Sequence, residues 1–415
     1  MPARVVAMGL RVGRRLIHMR PLTTLLSVEE AMERLLDEVR PVEGTERVSL
    51  FDAGGRVLAE DVLAFIDVPA FDRAAMDGYA VVAAATVSPP VALRCVEALY
   101  AGSTPRARVV AQTCCEIATG APLPPGADAV VMVEHTRRQG DLIEIERPAR
   151  PSQHVTRRGS DMREGERVLE AGTVLSPARV GAAAAVGRKD LLVYRRPRVK
   201  VGSTGNEVVE PGEPLPPGHV YNINTWSLCA LFRELGCDVE PLPIAPDDEA
   251  VIRERVAGAL DADLVVITGG SSVGEKDVLQ DVFAQLGEIV FHGIAIKPGK
   301  PTMLARIQGR PVIGMPGYPT SCLSNAYQFL IPAIDRLARR PSSRRFKRSV
   351  PLSEPISGAG ERHTLYTVRL TDGVAAAAFK ESGAITSMSR ADGYVAIPVG
   401  TRQLEAGDVV EVTLL

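Results

Sequence analysis

The 415-residue sequence is poor in aromatic side chains, in long apolar runs and in excess charge of either sign. Phe, Trp and Tyr make up 4% of the chain and the formal net charge is −2, which argues against a nucleic-acid-binding protein, because such proteins present basic surfaces and aromatic stacking platforms. No apolar run approaches the roughly 18–20 residues that cross a bilayer, so no membrane association is predicted. The remaining composition, 46% apolar and 24% charged, is typical of a globular protein of two to four domains.

Cysteine is also scarce. The six cysteines include no Cys-x-x-Cys pair, and the six histidines are scattered singly. This pattern argues against a structural zinc site and a disulfide scaffold, and it indicates a cytoplasmic protein. Any metal that the protein handles is therefore expected to have ligands other than a Cys/His cage.

The chain is predicted to comprise several parts. Residues 1–20 carry five arginines and no acid, without the apolar stretch and cleavage pattern of a targeting segment, so Met19 is the expected start. Short β-branched runs between Gly and Pro indicate strands in the N-terminal half and again near the C-terminus. The predicted parts are a non-native or disordered extension (1–18), a linker or dimerisation module (19–45 and 150–190), a β-rich module (46–149), an α/β domain (191–338) and a small β-barrel-like domain (349–415).

Two helices are predicted in the linker module. Ser27, followed three residues later by Glu30, indicates a capping box at the start of a helix that ends before Pro41. The alanine-rich run 180–187 indicates a second helix, with Gly187 as its C-terminal stop.

Residues 191–338 alternate short apolar runs with amphipathic segments of about ten residues or more. This alternation predicts βαβ units and a doubly wound, mostly parallel sheet with helices on both faces. Ligands of such sheets bind outside the carboxyl ends of the strands. The predicted strands are Arg198–Val201, Val239–Ile244, Leu264–Thr268 and Val312–Gly314, and the predicted helices are Trp226–Leu235, Glu249–Leu260, Val278–Leu286 and Ser321–Leu337.

Three loops at that predicted edge, 203–207, 268–277 and 315–321, are rich in small and hydroxyl residues. Their backbone N–H groups can approach a ligand closely and their hydroxyls add donors, which suits a phosphate or another oxyanion. The phosphate loops of Walker NTPases and Rossmann dehydrogenases do not occur, so those classes are disfavoured. The candidate substrate-binding residues in these loops are Ser203, Thr204, Gly205, Gly269, Gly270, Ser271 and Ser272.

Lys297 and Lys300 bracket a Pro-Gly turn after the apolar run 294–296. A pre-set turn that holds two ammonium groups indicates an anion clamp, although two exposed turn lysines would give the same pattern.

Glu207, Asp247 and Asp277 all fall in loops of the predicted sheet. Carboxylates beside anion-binding loops suit Mg²⁺ with a phosphate-bearing substrate, because Mg²⁺ prefers oxygen ligands. Helix capping is the alternative for Asp277, and for one of the pair Asp247 and Asp248. In the N-terminal half, residues 69–80 and 119–128 are stiff loops that the residues alone do not assign further.

Seven motifs, taken in order, resemble the molybdopterin molybdenumtransferase family over about residues 22–415. That family performs the last general step of molybdenum cofactor synthesis and includes the C-terminal part of gephyrin. The motifs are Pro-x-Phe-Asp-x-x-Ala-Met-Asp-Gly-Tyr-Ala, Thr-Gly-Ala-x-x-Pro-x-Gly-Ala-Asp-Ala-Val-Val, Arg-Arg-Gly-x-Asp, Ser-Thr-Gly-x-Glu, Gly-Gly-x-Ser-x-Gly-x-x-Asp, Lys-Pro-Gly-Lys-Pro and Pro-Gly-x-Pro.

The resemblance implies an elongated four-domain homodimer whose α/β domain binds molybdopterin in a cleft completed by an N-terminal β module of the partner subunit. It implies that adenylylated molybdopterin and molybdate react with the assistance of Mg²⁺, that AMP leaves, and that other cofactor-biosynthesis proteins make transient contact. The substrate's own sulfurs would bind the molybdenum. The implied catalytic residues are Asp77, Thr119, Asp161, Glu207, Asp247 and Asp277, with Glu207, Asp247 and Asp277 as metal ligands and Lys297, Lys300, Pro316 and Pro319 in the substrate site.

Three positions depart from the family pattern: Ala74 replaces Ser, Asn206 replaces Asp, and Tyr318 replaces Asn. The last two lie near the implied metal and cleft mouth and bear on the choice between molybdate and the nearly isosteric tungstate. Three rival functions stay open, a molybdopterin adenylyltransferase, a tungstate-preferring insertase and a non-catalytic scaffold. The N-terminal modules disfavour the first, and the retained acids disfavour the last.

Overall fold

The structure, a computed structural model, describes residues 25–269, 278–342 and 346–415. They form two compact units, one of residues 45–193 and one that combines residues 25–44 with the described residues of 194–415. The predicted extension at 1–18 lies outside the described residues. Within the described ranges, none of the helices combines the length and the apolar character that crossing a membrane requires.

Helix α1 spans Val28–Glu38 and confirms the predicted capping box. Ser27 Oγ accepts from the Glu30 backbone N–H, and the Glu30 carboxylate accepts from the Ser27 N–H at 2.9 Å. The helix buries Val28, Ala31 and Leu35 in the core of the unit that contains residues 194–415.

The 45–193 unit is rich in strands, as predicted. Its largest sheet has the order β4-β1-β3-β2-β6-β5, and the pairing is antiparallel except between β2 and β3. These strands are β1 (Gly78–Val81), β2 (Val91–Leu99), β3 (Thr113–Ile117), β4 (Ala129–Met132), β5 (Thr136–Gln139) and β6 (Leu142–Ile145). Shorter strands lie at Thr45–Ser49, Val62–Leu63, Arg73–Ala74, Val155–Thr156, Arg167–Leu169 and Asp190–Tyr194, and 3₁₀ turns at Ala83–Thr86 and Val133–His135.

Helix α2, Pro177–Ala185, confirms the predicted alanine-rich helix. Ser176 caps its N-terminus and Pro177 occupies its first turn, where a missing N–H is harmless. Gly187 follows its end with φ +83°, a conformation that favours glycine. Residues 150–190 thus pack within the 45–193 unit, and the domain boundaries given above stay predictions.

A six-stranded sheet with the order β8-β7-β9-β12-β11-β10 organises the second unit. The first four strands are parallel, which confirms the doubly wound sheet. Strand β11 is antiparallel to both of its neighbours, β12 and β10, and neither β11 nor β10 was predicted. The elements are β7 (Arg198–Ser203), α3 (Asn224–Glu234), β8 (Asp238–Pro241), α4 (Glu249–Gly258), β9 (Leu264–Thr268), α5 (Val278–Leu286), β10 (Glu288–His292), β11 (Met303–Ile307), β12 (Arg310–Met315), α6 (Pro319–Asn325) and α7 (Ile331–Leu337).

Alternate residues of the central strands face two separate cores. Val266 of β9 packs in the core that also contains residues of α1, α3 and α7, whereas Val265 and Ile267 pack in the core with α4 and α5. The sheet is therefore covered on both faces, as strand periodicity requires. The predicted helix Ser321–Leu337 is interrupted by a π turn at Ala326–Leu330, and Pro332, which lacks an N–H, explains the wider turn there.

The C-terminal part confirms the predicted small β-barrel-like arrangement. Its strands are β13 (Lys347–Pro351), β14 (His363–Thr371), β15 (Val374–Ala377), β16 (Gly393–Ile397) and β17 (Val409–Leu414), with the short strands Val208–Val209, Val220–Tyr221, Ile296–Lys297, Ile356–Ser357 and Gln403–Leu404 elsewhere in the unit and a short helix α8 at Thr386–Ser389. The order is β14-β16-β17-β13, and the other side of β14 pairs with β15 and, in parallel, with the short strand Ile296–Lys297. Leu352, directly after β13, bridges to Ala375 in β15, so the two edges of this sheet meet.

Candidate functional site

The loops that follow β7, β9 and β12 meet at the carboxyl edge of the parallel sheet. The Thr204 N–H donates to the Thr268 carbonyl at 2.8 Å, and the Gly269 N–H donates to the Met315 carbonyl at 3.2 Å. A Cβ at Gly317 would lie 3.5 Å from the Gly269 Cα. The predicted convergence of these loops is therefore real, and it forms the candidate active site of this unit.

Ser203 lies beneath this edge rather than on it. Its hydroxyl contacts Thr225 Oγ1 and Thr268 Oγ1 at 2.8 Å each and donates to Asn222 Oδ1 at 2.9 Å. All four side chains are buried, so this network fixes the ends of two strands and the start of α3. Ser203 is therefore placed to support the loop above it.

Two polar atoms near the loops are buried and have no hydrogen-bond partner among the described residues, Thr204 Oγ1 and Asn224 Oδ1. The amide nitrogen Nδ2 of Asn224 donates to the Gly317 carbonyl at 2.8 Å. Gly269 has φ +90°, and a Cβ there would lie 2.3 Å from the Thr204 carbonyl oxygen, so the close approach of the loops requires glycine. The predicted residues Gly270, Ser271 and Ser272 lie outside the described residues.

The candidate metal ligands Glu207 and Asp247 lie in neighbouring exposed loops. The loops are joined because the Asp247 N–H donates to Asn206 Oδ1 at 3.1 Å and the Asn206 N–H donates to Asp247 Oδ2 at 3.4 Å. Asp248, not Asp247, caps α4 by accepting from two backbone N–H groups. The capping alternative thus applies to Asp248 and leaves Asp247 with an exposed carboxylate.

Glu207 turns back over its own loop. Its Oε2 lies 2.7 Å from the position that a Cβ on Gly205 would occupy, and Gly205 itself has φ +144°. The third predicted ligand, Asp277, lies outside the described residues. Within the part of the chain that the structure describes, no three Asp, Glu, His or Cys side chains form a group that could hold a metal ion.

The lysine loop, residues 297–300, lies at the same edge of the sheet. It leads into β11, whose first residue pairs with Gly314 near the end of β12 because the two strands are antiparallel. Lys297 and Lys300 are half-buried, and neither forms an ion pair with a carboxylate of the described residues. Two ammonium groups without carboxylate partners near loops rich in backbone donors suit an oxyanion.

Asn325 holds the lysine loop in place. Its buried amide donates to the Gly299 carbonyl at 2.8 Å and to Thr302 Oγ1 at 2.7 Å, while the Thr302 hydroxyl donates to the same carbonyl at 3.0 Å. Gly299 has φ +103°, and a Cβ there would lie 2.3 Å from the Asn325 amide nitrogen. The loop geometry between the two lysines is therefore fixed by packing against α6.

The predicted prolines enclose the third loop. Pro316 is buried at the end of β12, Pro319 begins α6, and Tyr318 between them is 67% exposed. The Thr320 hydroxyl donates to the Ala384 carbonyl at 2.8 Å, which ties this loop to the C-terminal part of the same unit.

In the 45–193 unit, the structure brings together Asp77 and Thr119. The Thr119 N–H and hydroxyl both donate to Asp77 Oδ1, at 2.7 and 2.8 Å. These two hydrogen bonds, the backbone one first, lower the pKa of the Asp77 carboxyl below its ordinary value. Asp77 is thus an exposed carboxylate held in one orientation.

Asp161 is exposed at the end of a turn, 157–161, that two other acids hold. Asp72 accepts from the Arg157 guanidinium at 2.6 Å and from the Arg158 N–H at 2.8 Å. Asp67 accepts from the Arg158 side chain at 2.5 Å and from the Glu164 N–H at 2.9 Å. Backbone hydrogen bonds first, and the arginines next, lower the pKa of both carboxyls. These acids position the turn and were not identified from the sequence.

The sequence reasoning also missed the buried amides Asn222, Asn224 and Asn325. Asn222 and Asn224 lie beside and in α3, whose other buried residues are mainly apolar, so a polar side chain on that face could have indicated them. Asn325 lies in α6 among buried Thr and Ser side chains, and no such contrast marks it.

Comparison with known proteins bears on all three regions of the chain. Residues 26–187 match the family model described as the MoeA N-terminal region (domain I and II), residues 200–336 match "Probable molybdopterin binding domain", and residues 349–415 match the MoeA C-terminal region (domain IV). The molybdopterin molybdenumtransferase of Haemophilus influenzae is 36% identical over 315 residues, which cover 75% of this chain and 78% of that protein. The chain belongs to the molybdopterin molybdenumtransferase family.

Further relatives support this membership. Molybdopterin molybdenumtransferase 2 of Mycobacterium tuberculosis is 36% identical over 342 residues, 79% of this chain and 83% of that protein. A crystal structure of the molybdopterin biosynthesis MoeA protein from Pyrococcus horikoshii superposes with a TM-score of 0.81 at 38% identity, covering 94% of this chain and 99% of that one. The chain is thus a transferase of a molybdenum cofactor biosynthesis family, as the seven motifs predicted.

Proposed function

We propose that this enzyme transfers molybdenum from molybdate to adenylylated molybdopterin, forming the molybdenum cofactor and releasing AMP. The observation that carries the proposal is the edge of the parallel sheet, where three loops rich in backbone donors meet beside the lysine loop. The names of the relatives supply the class of reaction, since they are molybdopterin molybdenumtransferases.

Lys297 and Lys300 hold the phosphate and pyrophosphate oxygens, together with backbone N–H groups of the loop that begins at Gly269. Water attacks one of the two phosphorus atoms of the phosphoanhydride, and the bond from that phosphorus to the bridging oxygen breaks. If the pterin-side phosphorus is attacked, AMP leaves with the bridging oxygen and the bond electrons. If the AMP phosphorus is attacked, AMP carries the oxygen of the water. The two dithiolene thiols replace two oxo groups on molybdenum, whose oxidation state is unchanged. The two thiol protons and two protons from solvent convert the displaced oxygens to two water molecules. Positive charge fixed beside the breaking bond stabilises the negative charge that develops.

Mg²⁺ is the proposed metal at this edge, where the Glu207 and Asp247 carboxylates would supply hard oxygen donors from two hydrogen-bonded loops. Asp277 is the proposed third ligand. When bound, the ion neutralises phosphate charge. Asn206 leaves one carboxylate fewer here than the family pattern, and its amide oxygen instead accepts from the Asp247 backbone.

Asp77, Thr119 and Asp161 are further proposed catalytic residues, and a homodimer is the proposed assembly. We place the reaction in the cytoplasm, because all six cysteines are free thiols. Burial is the main cause that raises the pKa of Cys114 and Cys237 to about 12, which makes them poor metal ligands. This agrees with molybdenum bound by the substrate's sulfurs.

Incubation of the purified full-length chain with adenylylated molybdopterin, Mg²⁺ and either molybdate or tungstate tests the proposal. We expect AMP release and active cofactor that depend on molybdate, and at least tenfold slower AMP release in Lys300→Met. Lys189→Met, an exposed lysine in the other unit, is the matched control and should retain wild-type activity. A faster reaction with tungstate would favour the tungstate-preferring insertase.

An adenylyltransferase or a non-catalytic scaffold would behave differently in the same assay. An adenylyltransferase would consume ATP and metal-free molybdopterin without molybdate, and a scaffold would release no AMP under any condition. Either result would reject the proposed transfer.

A further inference from the structure

A second candidate site is an open groove of about 510 Å³ beside the loops at the carboxyl edge. Its size is in the range of pockets that hold small molecules. Its walls are mainly apolar, and they include the aromatic side chains of Tyr221 and Trp226 together with Asn222 and Ile385.

The two aromatic rings are held in fixed orientations although both are partly exposed. Trp226, the only tryptophan of the sequence, is 47% exposed, and its Nε1–H donates to Glu210 Oε2 at 3.0 Å. Tyr221 is 39% exposed, and its hydroxyl donates to the Glu213 carbonyl at 3.0 Å. Rings that are exposed and yet immobilised are suited to stacking on a planar ligand, because little further side-chain entropy is lost on binding.

Glu210 places a carboxylate against two of the residues that line the groove, Asn222 and Trp226. One oxygen accepts from Trp226 and the other accepts from Asn222 Nδ2 at 3.0 Å, and each carboxylate oxygen retains a further acceptor site. A carboxylate pairs best with two adjacent N–H donors. A 2-amino-4-oxopterin presents that pair at N3–H and the 2-amino group, whereas adenine presents its amino group between ring nitrogens that only accept.

Hydrogen bonds link the residues of the groove to the loops of the candidate active site. Asn222, which lines the groove, accepts from the Ser203 hydroxyl at the end of β7. Asn224 on the first turn of α3, two residues before Trp226, donates to the Gly317 carbonyl. Ile385 follows Ala384, whose carbonyl accepts from Thr320 at the start of α6.

We propose that this groove binds the pterin ring of the substrate, stacked on Trp226 and paired with the Glu210 carboxylate. The proposal rests on the proposed function for the existence of a pterin substrate. It assigns the recognition of the ring to residues 210–226 and 385, none of which the sequence motifs indicated.

Binding of a free pterin to the full-length protein tests the assignment. Neopterin is the probe, and AMP is the competing adenine-containing ligand. We expect neopterin to quench the fluorescence of Trp226, which alone supplies the tryptophan emission, and to give a binding isotherm by calorimetry. Glu210→Gln should weaken neopterin binding about tenfold through loss of the charge-assisted pair. Glu213→Gln is the matched control, since only the backbone carbonyl of Glu213 is used, and it should bind as wild type.

Substitution of Trp226 separates stacking from folding. Trp226→Ala should weaken neopterin binding about tenfold or more, whereas Trp226→Phe should stay within about threefold because a stacking face is retained. Three results would each overturn the assignment. The first is that neopterin does not bind, and the second is that Glu210→Gln and Glu213→Gln weaken binding equally. The third is that AMP quenches Trp226 fluorescence and neopterin does not displace it.

A turnover measurement distinguishes this assignment from the proposed function. If wild-type enzyme releases AMP in a molybdate-dependent reaction and Trp226→Ala leaves KM for adenylylated molybdopterin unchanged, the groove assignment is wrong and the function stands. An increase in KM of about tenfold with kcat retained would support the assignment.

Discussion

Substitution of Asn325 by leucine should separate the stability of the fold from the position of the lysine loop. The Asn325 amide makes two buried hydrogen bonds, to Gly299 and Thr302, each worth about 1 kcal/mol. Its Oδ1 is buried without a partner among the described residues, and removal of that polar atom offsets about 1 kcal/mol of the loss. The expected decrease in the free energy of unfolding is therefore only about 1 kcal/mol.

The effect of Asn325→Leu on activity should be larger. Without the amide, the Gly299 carbonyl keeps only the Thr302 hydrogen bond, so the turn between Lys297 and Lys300 is held less tightly, whereas the backbone pairing of Lys297 with β14 and of Lys300 with Ile294 remains. Misplacement of charged groups by about 1 Å reduces rate on the order of 10- to 100-fold. Urea denaturation gives the stability change, and AMP release from adenylylated molybdopterin gives kcat/KM.

Ser324→Ala is the matched control for this substitution. Ser324 is equally buried in the same helix but contacts Met388 Sδ at 3.6 Å and not the lysine loop. It should leave kcat/KM within about twofold of wild type. If Asn325→Leu retained full activity, or if Ser324→Ala lowered activity as much, the argument that Asn325 positions the lysines would be refuted.

Three further predictions concern stability and pH dependence. Asp263, directly before β9, is buried and accepts from the Arg195 guanidinium at 2.6 and 2.8 Å and from the Arg198 N–H at 2.8 Å. Asp263→Asn should lower the free energy of unfolding by about 2–4 kcal/mol in urea at pH 7, because the buried negative charge that pairs with Arg195 is lost. Burial acts to raise the pKa of Asp263, but hydrogen bonds from its charged and backbone partners outweigh burial and lower that pKa. Its stabilising contribution is therefore present above the unfolded-state pKa and is lost as pH falls through the folded-state pKa; a variant whose acid unfolding curve matched wild type would contradict this. Thr119→Val should raise the pKa of Asp77 toward its ordinary value and shift the acid limb of the AMP-release profile to higher pH, whereas an unshifted limb would count against Asp77. Gly78→Ala should reduce the yield of folded protein or the melting temperature of the 45–193 unit, because its Cβ would lie 1.9 Å from the Val131 carbonyl oxygen, and an unchanged melting temperature would contradict that geometry.

Several parts of the site followed directly from the sequence. The alternation of apolar runs with helical segments in 191–338 predicted a parallel sheet, and parallel strands bring the loops after 203, 268 and 315 to one edge. The capping box at Ser27 and the stop at Gly187 were equally local, because each depends on residues within one turn of helix.

Other parts were decided by contacts between segments far apart in the chain. The sequence could not choose between Asp247 and Asp248 as the cap of α4, because both precede the helix and only the backbone geometry makes Asp248 the acceptor. Strands β10 and β11 escaped prediction because each is a short run that resembles a loop, and their hydrogen bonds come from pairing that the local sequence does not show, of β11 with β12 and of β10 with β11.

The amino-acid sequence by itself determined the family, the parallel sheet and the identity of the charged groups, since these depend on local patterns and ordered motifs. Only the tertiary structure decided that Asn325 contacts the lysine loop, that Ser203 lies under the edge and that Trp226, which lines the groove, donates to Glu210. These side chains are placed by hydrogen bonds between residues that are far apart in the sequence. Such hydrogen bonds produce no periodic pattern, so the sequence alone does not predict them.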